Sequence, residues 1–135
     1  MKFRFCVLLA VLLVARWVCA AEHTKDSLDK VKENLANKKA ILIDVRELKE
    51  WDVDHLQDAQ LVPLSELKRL SAGEAEIRQK LEKSLPKDRI IYSHCRSGAR
   101  VLVAAEILEK LGYDIRPLAD GFSNLRAAGF PAAKK

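Results

Sequence analysis

A single cysteine stands among glycine and arginine in the short segment "SHCRSGAR", residues 93–100. Cys95 follows an apolar run and precedes a segment with helical periodicity, so we expect it at a strand-to-helix turn. Backbone N–H groups at a helix N-terminus lack intrahelical partners and, with the helix dipole, favour an anion. Gly98 lets a tight loop turn its amides inward. These amides, together with Arg96 and Arg100, favour the thiolate and so predict a reactive cysteine.

The thiolate is the nucleophilic form of cysteine, so the loop predicts covalent catalysis at Cys95. The residues that follow it are predicted to bind the substrate: Arg96, Ser97, Gly98, Ala99 and Arg100. The competing interpretation is that Cys95 is inert in the core, as free cysteines often are. Two arginines, a serine and a glycine beside it disfavour inert packing.

The elements that must position this loop alternate between strands and helices. Short apolar runs predict strands at Ala40–Val45, Ala59–Leu64, Arg89–Ser93 and Asp114–Leu118. Helical spacing predicts helices at Thr24–Asn37, within "ELKEWDVDHL", and at Glu74–Leu85, Ala99–Leu111 and Phe122–Ala128. Asp26 or Ser27 is the candidate N-cap of the first helix, and Ser65 is predicted to cap a helical turn through Leu70. This alternation indicates an α/β domain with a mostly parallel central sheet flanked by helices. Ligands of such sheets bind beyond the carboxyl ends of the strands, which is where Cys95 is expected.

The first twenty residues have the layout of a secretory signal peptide. Lys2 and Arg4 precede an apolar run, and small residues surround a cleavage position after Ala20. The run is too short to span a bilayer, which takes roughly 20 residues; an uncleaved anchor or a buried helix is the alternative. The predicted organisation is a signal peptide at 1–20, a helical lead-in at 21–39 and one domain at 40–133. The mature protein is then expected in the periplasm or outside the cell, free of the membrane.

Cleavage would change both the charge and the cysteine count. Loss of the signal's three basic residues lowers Lys+Arg from 24 to 21 against 19 Asp+Glu, so the net charge falls from +5 to about +2. That balance gives no sign of a nucleic-acid partner. Cys6 and Cys19 would leave with the signal, so Cys95 would be the single cysteine of the mature protein. In an exported protein such a cysteine is buried, paired with another molecule, or a reactive thiol.

Three segments together resemble the rhodanese family in its single-domain form: "IDVRELKEWDVDHLQDAQLVPL", "YSHCRSGARVLVAAEILEKLGY" and "LADGFSNLRAAGFP". The resemblance covers Ala40 to Pro131 and implies a sulfurtransferase. It implies that the Cys95 thiolate takes the outer sulfur of a donor, thiosulfate or a polysulfide, and holds it as a persulfide. An external thiol or other thiophilic acceptor would then remove the sulfur. No metal or organic cofactor is implied.

The resemblance also marks positions outside the loop. Asp44 and Arg46 match the family's Asp-Val-Arg, which implies an ion pair or hydrogen bonds that support the loop. Further structural positions are matched by Glu50, His55 and Gly121. The chain departs from the family's usual glycines at Asp54, Asp58 and Asp120. If Asp120 lies near the pocket, its charge would disfavour a dianionic donor such as thiosulfate.

Two other functions fit parts of this pattern. Cysteine-dependent phosphatases and arsenate reductases also place His-Cys and an Arg on an anion-binding loop, but with five residues between Cys and Arg. Four residues separate Cys95 from Arg100, a smaller cradle that suits sulfur better than a phosphoryl group. The second alternative is a non-catalytic rhodanese-like binding module, which the retained cysteine and arginines disfavour.

The remaining histidines and a tryptophan have structural interpretations. His94 is expected to hydrogen-bond a neighbouring loop, His23 to lie in solvent, and Trp51 to lie in the core. With three histidines scattered along the chain and one mature cysteine, no metal site is predicted.

Overall fold

The fold is built on four short parallel strands, seen in a computed structural model that describes residues 20–135. The strands are β1 (Ala40–Asp44), β2 (Ala59–Leu61), β3 (Ile90–His94) and β4 (Asp114–Pro117). They lie in the order β2-β1-β3-β4, and each neighbouring pair is parallel. The α/β class with a parallel central sheet is therefore confirmed. Every predicted strand is present; β1, β2 and β4 begin at the predicted residue, β3 begins one residue later, and the carboxyl ends differ by one to three residues.

The predicted signal peptide, with Cys6 and Cys19, lies outside the described residues apart from Ala20. Within residues 20–135, no helix has both the length and the apolar character needed to cross a membrane.

The described residues form six helices that connect and flank the strands. They are α1 (Leu28–Ala36), α2 (Leu48–Val53), α3 (Leu64–Ser71), α4 (Ala75–Ser84), α5 (Arg100–Glu109) and α6 (Phe122–Ala127). The prediction that Ser65 caps a helix is wrong, because Pro63 is the N-cap of α3 and Ser65 lies within it. The Ser65 hydroxyl instead donates to Glu47 Oε2 at 2.7 Å.

The first helix begins later than the apolar spacing predicts. It starts at Leu28 rather than Thr24, because Ser27 is the N-cap and its Oγ accepts the Lys30 N–H at 3.2 Å. Upstream of the cap, the Thr24 N–H donates to the Pro117 carbonyl oxygen at 2.7 Å. The residues before α1 therefore lie along the end of β4.

Apolar side chains bury both faces of the sheet, because successive residues of a strand point to opposite faces. Ile91 and Leu108 belong to the cluster on the face covered by α3, α4 and α5. Tyr92 and Leu125 belong to the cluster on the face covered by α1 and α6. Burying each Leu or Ile side chain fully contributes about 1.5–3 kcal/mol. The two clusters hold β3 from both sides, and so fix the point where Cys95 begins its loop.

The register of the central pair sets which residues meet at the carboxyl edge. Asp44, the last residue of β1, pairs with His94, the last residue of β3. The residues that follow each strand therefore emerge side by side, which brings Arg46 to the same edge as Cys95.

Candidate active site

Cys95 lies directly after β3, and the loop it begins leads into α5 at Arg100. Its side chain is fully buried. The Gly98 N–H donates to the Cys95 Sγ across 3.1 Å, and the Phe122 N–H donates to the Cys95 carbonyl oxygen at 2.9 Å. Gly98 has a φ of +85°, in the left-handed region that favours glycine, and its amide turns inward as the sequence predicts. An amide aimed at the sulfur in this way stabilises negative charge there.

The connection between β4 and α6 holds the loop from a second side by close backbone contact. A Cβ on Gly121 would lie 1.8 Å from the Arg96 carbonyl oxygen. A Cβ on Gly98 would lie 2.6 Å from the Ala119 carbonyl oxygen. Both contacts are far shorter than van der Waals packing permits, so glycine is needed at both positions for space, and at Gly98 also for its positive φ.

The residues predicted to bind substrate differ in how far they reach solvent. Arg96, Ser97 and Ala99 are exposed, Arg100 is half-buried, and Gly98 is buried. Arg96 takes part in none of the salt bridges found among residues 20–135. Its cation is thus available to a ligand at the mouth of the loop.

A cavity of about 310 Å³ opens beside the loop, and Arg96 lines it. The lining combines cations, carboxylates and apolar surface: Arg46, Glu50, Val53, Asp54, Arg96, Phe122 and Ser123. Asp120, considered above as a neighbour of the pocket, is half-buried and is not among these residues. The cavity is large enough for a small anion or a small thiol.

Arg100 is bound to a carboxylate and is not free at the loop. Its guanidinium donates to both oxygens of Glu50, at 2.7 and 2.8 Å. The hydrogen bond from Arg100 lowers the pKa of Glu50 to about 2, and the same bond raises the pKa of Arg100. Glu50 therefore neutralises part of the Arg100 charge, and the predicted role of Arg100 beside the thiolate stays a prediction.

Asp44 and Arg46 form the ion pair that the family resemblance implies. The pair is buried, with the Asp44 side chain 0% and the Arg46 side chain 6% exposed. Arg46 Nη2 lies 2.7 Å from Asp44 Oδ2 and donates a further hydrogen bond to the Asp54 carbonyl oxygen at 2.8 Å. The guanidinium carbon also lies 4.4 Å from the centre of the Phe122 ring. Arg46 thus joins the end of α2 to the start of α6 beside the loop.

His94 precedes Cys95 and is fully buried. Its Nδ1 lies 3.4 Å from the Cys95 carbonyl oxygen, so the hydrogen bond expected with a neighbouring loop is made instead to the next residue. Its Nε2 has no hydrogen-bond partner and lies 3.6 Å from Asp44 Oδ2. Burial lowers the pKa of His94, against the attraction of Asp44. Burial thus favours the neutral form of the ring.

His23 does not lie in solvent, so that prediction is wrong. The ring is half-buried, and Nε2 lies 2.6 Å from the Gly98 carbonyl oxygen. The two residues are 75 positions apart. No local pattern signals this contact, because it depends on the segment before α1 turning back along β4.

The prediction that Trp51 lies in the core is also wrong. It is half-buried, belongs to neither core cluster, and stacks on His55 with ring centroids 3.7 Å apart. Its helix α2 lies at the surface, where Leu48 is 56% and Val53 69% exposed. No cluster of three or more His, Cys, Asp or Glu side chains suited to a metal ion occurs in residues 20–135.

Comparison with known proteins places this geometry in a family. The model of the rhodanese-like domain matches residues 27–128. Over 78 residues the chain is 35% identical to "Probable adenylyltransferase/sulfurtransferase MoeZ" of Mycobacterium tuberculosis, a match that covers 58% of this chain and 18% of that protein. Over 85 residues it is 32% identical to a mitochondrial protein of Schizosaccharomyces pombe named provisionally as a thiosulfate sulfurtransferase, covering 61% of this chain and 59% of that protein.

Solved structures agree with the sequence comparisons. A human single-domain sulfurtransferase, TSTD1, superposes with a TM-score of 0.63 at 29% identity, over 76% of this chain and 94% of the human chain. The chain thus spans less than two thirds of the two sequence relatives but nearly all of the human single-domain protein.

Proposed function

Because the chain belongs to the rhodanese-like domain family, we propose that it is a sulfurtransferase that carries a sulfane sulfur on Cys95. One observation carries the proposal: the Gly98 N–H points at the Cys95 Sγ across 3.1 Å, at the carboxyl end of β3. A thiolate held by such a donor is a suitable nucleophile. The names of the M. tuberculosis, S. pombe and human proteins all include sulfurtransferase, which supports this reaction class.

The proposed reaction is a double displacement through a persulfide. In the first step the Cys95 thiolate attacks the outer sulfur of thiosulfate, a new S–S bond forms, and sulfite leaves with the electron pair of the broken S–S bond. In the second step an acceptor thiolate attacks the outer sulfur, the persulfide bond breaks, and Cys95 returns as the thiolate. The Gly98 amide stabilises the negative charge on sulfur at the start and end of the cycle.

We assign the donor to the cavity beside the loop. Arg96 is exposed and lines that cavity, so it attracts the anionic end of thiosulfate or a polysulfide. We assign the rest of the donor cradle to the backbone of Ser97, Gly98 and Ala99, of which the Gly98 N–H points at the Cys95 Sγ. Arg100 closes the cradle through its ion pair with Glu50, and its own charge contributes less to donor binding.

The acceptor comes from outside the chain. Cys95 is the one free cysteine of residues 20–135, so the described part of the chain supplies no second thiol to resolve the persulfide. An external thiol or another thiophilic molecule is therefore the proposed acceptor.

We also propose that the protein is exported to the periplasm or secreted, because residues 1–20 have the charged, apolar and small-residue layout of a signal peptide. N-terminal sequencing of protein recovered from the expressing cell tests this. A sequence that starts at Ala21 is expected, and one that starts within residues 1–20 would contradict cleavage at this position.

The second candidate is a non-catalytic binding module. It is favoured by the burial of Cys95, whose side chain has no exposed surface. Sulfur transfer requires the loop to admit a donor, whereas a binding module does not require it.

Steady-state kinetics with thiosulfate and cyanide separate the two candidates. Because the persulfide mechanism releases sulfite before the acceptor binds, it predicts parallel double-reciprocal lines at varied acceptor concentration. The matched control is Cys95→Ser, which keeps the size of the side chain and should lose turnover. Wild-type protein without turnover under reducing conditions, with any of several sulfur donors, would leave the binding module as the better assignment.

A further inference from the structure

We propose that His23 is a positioning residue that fixes the Cys95 loop for sulfur transfer, a role that rests on the proposed function. Its Nε2 lies 2.6 Å from the Gly98 carbonyl oxygen. A carbonyl oxygen only accepts hydrogen bonds, so Nε2 carries the proton and donates it to Gly98. His23 lies before residue 27, where the match to the family model begins, so this contact is not part of the matched domain.

The segment that carries His23, residues 21–26, is tied to the domain on both sides of the histidine. We call it the N-terminal strap. Before His23, Ala21 packs against the core cluster on the α5 face of the sheet. After it, the Thr24 N–H donates to the Pro117 carbonyl oxygen at 2.7 Å. The strap therefore continues along the end of β4 and holds the imidazole against the loop.

Asp26 is the third anchor of the strap. Its Oδ2 accepts a hydrogen bond from the Tyr92 hydroxyl at 2.6 Å and another from Arg116 Nη1 at 2.9 Å. Tyr92 is a core residue of β3, so the strap is fixed to the strand that ends directly before Cys95. The three contacts of the strap therefore fix the position of His23 in the folded domain.

The hydrogen bond from His23 constrains the peptide between Gly98 and Ala99. Gly98 has a φ of +85° and no side chain, so its backbone rotates more easily than that of its neighbours. Its carbonyl and the Ala99 N–H belong to one planar peptide and point in opposite directions. A rotation of this peptide would reverse both groups. By holding the carbonyl on the strap side, His23 keeps the Ala99 N–H on the other side of the loop.

The loop is then fixed from two directions around Gly98. His23 holds its carbonyl, and the Ala119 carbonyl oxygen lies so near that a Cβ on Gly98 would approach it to 2.6 Å. Between these contacts the Gly98 N–H keeps its 3.1 Å hydrogen bond to the Cys95 Sγ. Loss of the His23 donor should therefore weaken the reactivity of Cys95 while the domain stays folded.

Three variants of the full chain test the proposal. His23→Leu removes the donor but keeps apolar bulk, whereas His23→Gln offers an amide N–H at a similar reach. Glu22→Ala is the matched control, because Glu22 is an exposed neighbour in the strap. For each variant we would measure the rate constant of Cys95 alkylation by iodoacetamide, kcat and KM with thiosulfate, and the thermal unfolding midpoint.

We expect His23→Leu to lower the alkylation rate constant and kcat by about 3- to 10-fold, the value of one net hydrogen bond, with a smaller change in KM. His23→Gln should stay within about twofold of wild type, because one hydrogen-bond donor replaces another. Glu22→Ala should match wild type, and all unfolding midpoints should stay above the assay temperature.

Wild-type rates in His23→Leu would overturn the proposal. Equal losses in His23→Gln and His23→Leu would also overturn it, because the ring would then act by packing and not as a donor. A loss that appears only with unfolding would do the same. If wild-type protein accepts sulfur from no donor, the proposed function fails, but the alkylation rates still decide whether His23 positions the loop.

Discussion

Replacing Glu50 by Gln tests how strongly Arg100 is held beside the Cys95 loop. The amide keeps the size of the side chain but removes the charge that the Arg100 guanidinium binds at 2.7 and 2.8 Å. The side chains of Arg100 and Glu50 are 30% and 27% exposed, so solvent screens the pair only in part.

The pKa of Glu50 sets the size of the expected effect. Pairing with Arg100 lowers this pKa from 4.5 to about 2. At about 1.4 kcal/mol for each pKa unit, the largest possible stabilisation is about 3 kcal/mol. Allowing for the exposed part of the pair, we expect Glu50→Gln to lower the free energy of unfolding at pH 7 by about 1–2 kcal/mol.

The stabilisation by Glu50 should decrease as the pH falls. Because folding lowers the pKa of Glu50, the stabilisation is complete above 4.5, the value in the unfolded chain, and is lost as the pH falls toward 2. Urea denaturation of wild type and Glu50→Gln at pH 7 and pH 3 measures this. The difference between the two proteins should shrink by roughly half or more at pH 3.

An exposed ion pair provides the matched control. Arg78 and Glu82 pair on the surface of α4 with side chains 58% and 49% exposed, so Glu82→Gln should change the free energy of unfolding by about 0.5 kcal/mol or less. The reasoning about Glu50 is refuted if Glu50→Gln also has no effect at pH 7, or if its effect is the same at pH 3 and pH 7.

Three further substitutions and one assay test the site and the backbone that supports the fold. Arg96→Ala should raise KM for thiosulfate severalfold without moving the unfolding midpoint, because Arg96 is exposed; an unchanged KM in steady-state kinetics would contradict the donor role. Gly121→Ala should lower the free energy of unfolding by about 1–3 kcal/mol in a denaturant titration, since its Cβ would meet the Arg96 carbonyl oxygen. Gly73→Ala is the comparison for crowding. Its Cβ would meet nothing within 4 Å although φ is +96°, so any loss of stability there comes from backbone strain. Wild-type protein should not hydrolyse p-nitrophenyl phosphate; turnover that disappears in Cys95→Ser would revive the phosphatase.

The order of strands and helices could be predicted because local patterns determine it. The apolar runs that became β1 and β3 are buried on both faces of a parallel sheet, and Gly98 has the positive φ that a tight strand-to-helix loop requires. The Ser27 N-cap was one of two candidates, and the structure selects it because its Oγ accepts an N–H of the first turn. Local sequence patterns were thus sufficient to predict the position of Cys95 at the end of β3.

Contacts between distant segments could not be predicted in the same way. Glu50 binds Arg100 across 50 residues, and His23 binds Gly98 across 75. Neither pair has a periodicity or a motif that links its members, because the sheet order and the path of the strap decide which residues meet. The misplaced Trp51 has the same cause: its spacing fits an apolar helix face, but α2 lies at the surface.

The intact mass of the protein after exposure to thiosulfate tests the role of Cys95 most directly. We expect wild-type protein to gain the mass of one sulfur atom, Cys95→Ser to gain none, and the added mass to disappear when a thiol or cyanide is supplied. Polysulfide and 3-mercaptopyruvate, tested in parallel, would identify the preferred donor. A wild-type mass that stays unchanged with all three donors would contradict a persulfide on Cys95.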